Sequence, residues 1–220
     1  PLRAAAGTVQ TFLAPHWRLV RPFALASSTQ FRPGPPPLFP DTQYAREADD
    51  VRRLSADPTD RDKVIAEYWA DGPNTETPPG HWCLLAQGVS ARDRHTLGQD
   101  VVMFFALGTA LLDASIVVWD AKVAYDYVRP VSAVRFLARG TTIAAWAGPG
   151  RGTRLIAGEA FQPYLATPPF AEYTSGHSGF SAAAAAVVAA FTGSPLFGAS
   201  HTVRAGSSAV EPGLTPVTDI

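Results

Sequence analysis

The chain has 220 residues, 46% of them apolar and 17% charged, with a net charge of −1. That suffices for one large domain or two small ones with a sizeable core, and it excludes a global basic field for nucleic acid or an anionic membrane. The single cysteine, Cys83, excludes an intrachain disulfide and is expected as a small buried side chain, and no Cys/His spacing resembles a zinc site.

Pro1–Phe23 carries short apolar patches around His16 and Trp17 and reads as irregular or weakly helical. Ser27–Pro40 is proline-rich. Its PGPPP run suits either a polyproline II ligand or a stiff loop over the core, and its place between apolar segments favours the loop. Thr42–Leu54 is a predicted helix with Asp41 as N-cap, ended by Asp57-Pro58. Thr59 caps a second helix, Asp60–Ala70. Asp71–Pro79 reads as a loop, Gly80–Ser90 as a short helix and Ala91–His95 as a polar elbow.

A long helix follows from about Thr96 to Tyr125, ~45 Å at the standard rise. Its middle is apolar nearly all round, which predicts burial on every side. Val101–Trp119 has the length of a membrane span. Asp113 within it, flanked by Asp100 and Asp120, favours the centre of a soluble bundle instead, packed against the helix at Gly179–Phe191. Ser132–Ala138 gives one more short helix. The GPGRG run at Gly148–Gly152 lacks the Gly-Lys-Ser/Thr ending of a phosphate loop and follows no evident strand, so it reads as a turn. Thr192–Ile220 shows no clear element. The fold class is all-α: one helical domain over 1–220, with an irregular segment 1–40 and a helical core 41–220.

Two stretches carry chemistry. In Trp119–Pro130, WDAKVAYDYVRP, Lys122 and Arg129 lie seven residues apart. On a continuous helix they would share a face, ~10.5 Å apart along the axis. Pro130 instead places Arg129 in a bend. Either way a compact ammonium and a forked guanidinium can converge on one anion; snorkelling cations at a helix end are the plainer alternative. In Phe161–Phe191, the proline-braced TPPF leads into Thr174, Ser175, Gly176 and His177 at the start of an alanine-rich helix. A serine N-cap, a glycine and unpaired first-turn N–H groups suit an anion, and His177 adds a group able to exchange protons near neutrality. A capped core helix with an incidental histidine is the alternative.

Lys-x6-Arg-Pro followed by Ser-Gly-His resembles the first two motifs of the superfamily joining type 2 phosphatidic acid phosphatases, bacterial acid phosphatases and vanadium haloperoxidases. WDAKVAYDYVRPVSAVR and TPPFAEYTSGHSGFSAAAA resemble its soluble haloperoxidase branch, a helical bundle. The resemblance implies that Lys122, Arg129, the Ser175 hydroxyl and the Gly176 N–H bind vanadate or phosphate oxygens, with His177 as acid–base residue. It implies a halide region at Trp119 and Phe170. Thr174 replaces the family's usual proline.

The family's third motif, an arginine and a second histidine that binds vanadium or attacks phosphorus, has no match here. His201 lacks the upstream arginine and is not assigned; the metal-ligating histidine is expected beyond Ile220. The segment by itself is then expected to bind vanadate weakly. The implied function is halide oxidation by hydrogen peroxide at a vanadate cofactor. The alternatives are an acid phosphatase acting on a phosphoester at the same site, or an inactive helical binding domain. Nucleic acid and a membrane span are not expected; the compartment and the oligomeric state, a homo-oligomer included, are left open.

Overall fold

A computed structural model describes residues 3–4, 8–9 and 11–213. The rest of the irregular N-terminal stretch, and the end of Thr192–Ile220, lie outside the described residues. Two strands, β1 (Arg3–Ala4) and β2 (Thr8–Val9), pair antiparallel. A short 3₁₀ turn follows at Trp17–Leu19. Then come α1 (Thr42–Ala56), α2 (Asp60–Tyr68), α3 (Thr77–Asp93), α4 (Leu97–Tyr125) and α5 (Pro130–Leu137). A hairpin of β3 (Thr142–Trp146) and β4 (Thr153–Ala157) precedes α6 (Gly176–Thr192).

The caps explain the starts. Asp41 accepts from the Gln43 N–H at 2.8 Å, Thr59 and Asp62 form a capping box, and Thr96 and Gln99 form another. Two boundaries differ from expectation, both at prolines. α3 begins at Thr77, not Gly80, and α5 at Pro130, not Ser132. Proline fits the first helical turn, where its missing N–H has no partner to lose. α3 also runs on to Asp93, where Arg94 ends it in the left-handed conformation (φ 54°). α2 is shorter than expected and stops at Tyr68.

The fold is helical as expected, but GPGRG does follow a strand, β3. Trp146 and Ala145 are consecutive and both buried, so β3 lacks the alternation that marks a half-buried strand. GPGRG is its turn, with positive φ at Gly148, Gly150 and Gly152.

The core has two clusters. One joins Ala86 and Val89 of α3, Met103, Leu107 and Leu111 of α4, and Phe180 and Ala184 of α6. The other joins Tyr44 and Ala48 of α1, Ala133 and Val134 of α5, Ala145 and Phe161. Cys83 is half-buried against the first cluster, and burial pushes its thiol pKa up. α4 packs on α6, as expected. Gly179 leaves room for Val118 there: a Cβ at 179 would stand 2.6 Å from Cγ2 of Val118.

α4 is not buried on every side. Met103 and Leu107 are fully buried, but Val101, Val102 and Phe105 on the other side are about 60% exposed. By length and composition α4 could cross a membrane. Its acids have a different use here. The Asp113 carboxylate accepts from the backbone N–H groups of Phe23, Ala24 and Leu25 at 2.6, 2.8 and 3.1 Å. Asp120 accepts from Nε and Nη2 of Arg32 at 2.6 and 2.9 Å. Together they fasten the N-terminal segment along α4. Asp113→Ala strands three donors and is expected to cost about 1–3 kcal/mol, read as a lower urea midpoint.

The proline strap is pinned at its carbonyls. The hydroxyls of Tyr125, Tyr127 and Tyr173 donate to the carbonyl oxygens of Pro33, Pro37 and Gly34 at 2.5, 2.5 and 3.1 Å. Proline offers no N–H, so the carbonyl side is what such a strap has to give.

Candidate oxyanion site

The last two turns of α4 and the N-cap of α5 bring the first pair of cations together. Lys122 is 1% exposed, and its Nζ donates to the carbonyl oxygens of Ala171 and Glu172 at 2.8 and 3.0 Å. Arg129, extended at the α5 N-cap as Pro130 requires, donates from Nε to the Phe170 carbonyl at 2.6 Å and from Nη1 to the Glu172 carboxylate at 2.7 Å. The Phe170 ring lies beside both, 5.0 Å from the ammonium and 4.8 Å from the guanidinium carbon. Residues 170–172 are thus the shared seat of Lys122 and Arg129.

Each cation retains donor capacity. Nη2 of Arg129 is buried with no hydrogen-bond partner. Lys122 has three N–H donors and spends two on carbonyls. Burial is the largest influence on Lys122, followed by the neighbouring Arg129 charge. With Glu172 opposing, they push the ammonium pKa down from 10.5 to about 7. Burial also lowers Arg129, against the pull of Glu172. Two cations thus meet one carboxylate in a poorly solvated place, which is the charge balance an oxyanion would complete.

Three residues beyond Glu172 the chain enters α6. Ser175 is its N-cap, extended, with Oγ accepting from the Ser178 N–H at 3.2 Å, so the hydroxyl proton remains free to donate. Gly176 lies against the first motif: a Cβ there would be 4.0 Å from Cζ3 of Trp119 and 3.9 Å from Cε2 of Phe180. Its N–H precedes the first intrahelical bond. His177 is exposed and has no hydrogen-bond partner among the described residues. Trp119, three residues before Lys122, and Phe170, seven before His177, stand together with ring centroids 5.3 Å apart, and Trp119 Nε1 donates to the Leu13 carbonyl at 3.0 Å.

The structure therefore joins Lys122, Arg129 and Phe170 directly, and links Gly176 to them through Trp119. His177 sits on the solvent side of the same helix start. His201 lies elsewhere, its ring 4.9 Å from that of Tyr68. Sequence reasoning missed Glu172. A lone acid between two motifs has no spacing signature, although two buried cations do call for a nearby anion.

A helical bundle that presents this pair of motifs is of the vanadium haloperoxidase type. The chain belongs to the family of the VCPO second helical-bundle domain, whose model matches residues 102–220. It is similar to the apo-type bacterial vanadium-dependent chloroperoxidase, with TM-score 0.84 and 24% identity over 98% of this chain and 48% of that one. The holo-type bacterial chloroperoxidase gives TM-score 0.81 and 26% identity over 99% and 47%. A bacterial vanadium-dependent iodoperoxidase gives 0.65 and 27% over 82% and 41%. The chain spans about half the length of the chloroperoxidases it matches. No curated protein matches it.

Proposed function

We propose that Lys122, Arg129, Ser175 and Gly176 bind vanadate and that the whole protein oxidises halide with hydrogen peroxide. The observation that carries this reading is the orphaned Nη2 of Arg129 beside the desolvated Lys122. Bound vanadate supplies a Lewis acid for activating peroxide. The chain's own part is positioning and proton handling. Nε and Nη1 of Arg129 are fixed by Phe170 and Glu172, which leaves Nη2 for the anion at little cost in order. Lys122 is held by two carbonyls and offers its remaining proton. Trp119 and Phe170 form an apolar wall that strengthens these charges by keeping water off them. His177, exposed at the helix start, takes and returns a proton.

The test is bromination of an indicator dye by the vanadate-loaded protein with peroxide and bromide. Turnover is the expected result. Halide left untouched, with phosphomonoester hydrolysis by the vanadate-free protein, would transfer the same donors to a phosphatase and reduce Trp119 and Phe170 to packing.

A further inference from the structure

Two buried polar atoms lack partners among the described residues: Nη2 of Arg129, which is a cation's donor, and Oδ2 of Asp71, which is an anion's oxygen. The second lies in the connection between α2 and α3, which the oxyanion reading leaves unused. Asp71 follows α2, Glu76 sits at the α3 N-cap position, and His81 stands in the first turns of α3. Their ligand-capable atoms all lie within 4.8 Å of one another.

The arrangement is more than a group of surface acids. The side chains of Asp71 and His81 are only 5% and 7% exposed. His81 Nδ1 and Asp71 Oδ1 are 2.9 Å apart. The His81 ring is fixed by stacking on Trp69 (centroids 4.8 Å, 26°) and by the edge of Tyr68 (4.8 Å, 73°). The other oxygen of the same carboxylate has lost water and gained no donor, an arrangement that costs free energy unless something positive completes it. Glu76 is exposed and can close on an ion without disturbing the core.

We propose that Asp71, Glu76 and His81 form a divalent-cation site, with Zn²⁺ the best-matched ion. One imidazole nitrogen and two carboxylate oxygens are ligands Zn²⁺ accepts, at about 2.0–2.2 Å each. The imidazole selects it over Mg²⁺ and Ca²⁺, which prefer oxygen alone. Water fills the remaining position. The ion cross-links the α2–α3 connection to α3, the helix whose Ala86 and Val89 pack against α4 and α6.

The test is Zn²⁺ titration of the vanadate-free protein in competition with a chromogenic chelator, together with thermal unfolding. The expected result is one saturable equivalent per chain and a higher Tm with Zn²⁺. Glu76→Ala, at an exposed position, should weaken binding at least tenfold while leaving the metal-free Tm unchanged. Asp71→Asn should remove both the tight site and the Zn²⁺-dependent rise in Tm. Mg²⁺ and Ca²⁺ at equal concentration should shift Tm less. Absence of a saturable equivalent, or equal Zn²⁺ affinity in the parent and both variants, overturns the proposal.

Discussion

Lys122→Met is expected to lower vanadate affinity roughly 10–150-fold, since a hydrogen bond to a charged group is worth about 1.5–3 kcal/mol. Equilibrium dialysis or calorimetry reads this directly. The same residue sets two pH dependences of opposite sense. Its folded pKa of about 7 lies below the ordinary 10.5. Between those values the unfolded chain holds the proton and the folded chain gives it up, so stability rises with pH across that window. Below pH 7 the cost of the buried ammonium is felt in full. Anion binding needs the ammonium, so affinity for vanadate should fall as pH climbs through about 7. Lys122→Met should flatten the stability profile from 7 to 10.5 while weakening binding throughout. Unchanged affinity in that variant would remove Lys122 from the site.

His177→Ala is expected to lower the halide-oxidation rate of the vanadate-loaded protein about 10²–10⁴-fold, the usual worth of general acid–base help. Because His177 is exposed, the substitution should leave the unfolding midpoint nearly unchanged. It spares the Lys122 and Arg129 donors, so vanadate affinity should fall far less than in Lys122→Met. A variant that keeps more than a tenth of the rate would assign the proton to another group.

Much of this was legible in the sequence because local chemistry sets helix starts. Asp41, Thr59 and Ser175 cap where their side chains predict, and Pro130 holds Arg129 extended at the bend. Lys122 and Arg129 could be paired only once Lys-x6-Arg-Pro was read together with the later Ser-Gly-His, since spacing alone suits snorkelling cations as well. What was hidden depends on contacts made far along the chain. Nothing near Glu172 indicates that Arg129 will need it. Asp113 and Asp120 were visible as interruptions of an apolar helix, but not as anchors for a loop 88–90 residues earlier. The long helix was expected to be wrapped on all sides because composition shows how apolar a face is, not whether another element reaches it. Asp71 and His81 are ten residues apart and meet only because the loop after α2 turns back onto α3.

The contact of Gly179 with Val118 has a consequence for how the site tolerates change. Val118 lies four residues before Lys122 on α4, and Gly179 lies four after Ser175. Of the α4–α6 contacts, this one lies between the two motifs and helps to index them to each other, as teeth set the phase of two gears. The hairpin between α5 and α6 takes no part in that contact. A side chain at position 179 would slip it, displacing Ser175 and Gly176 relative to Lys122 and Arg129 while all four remained in the sequence.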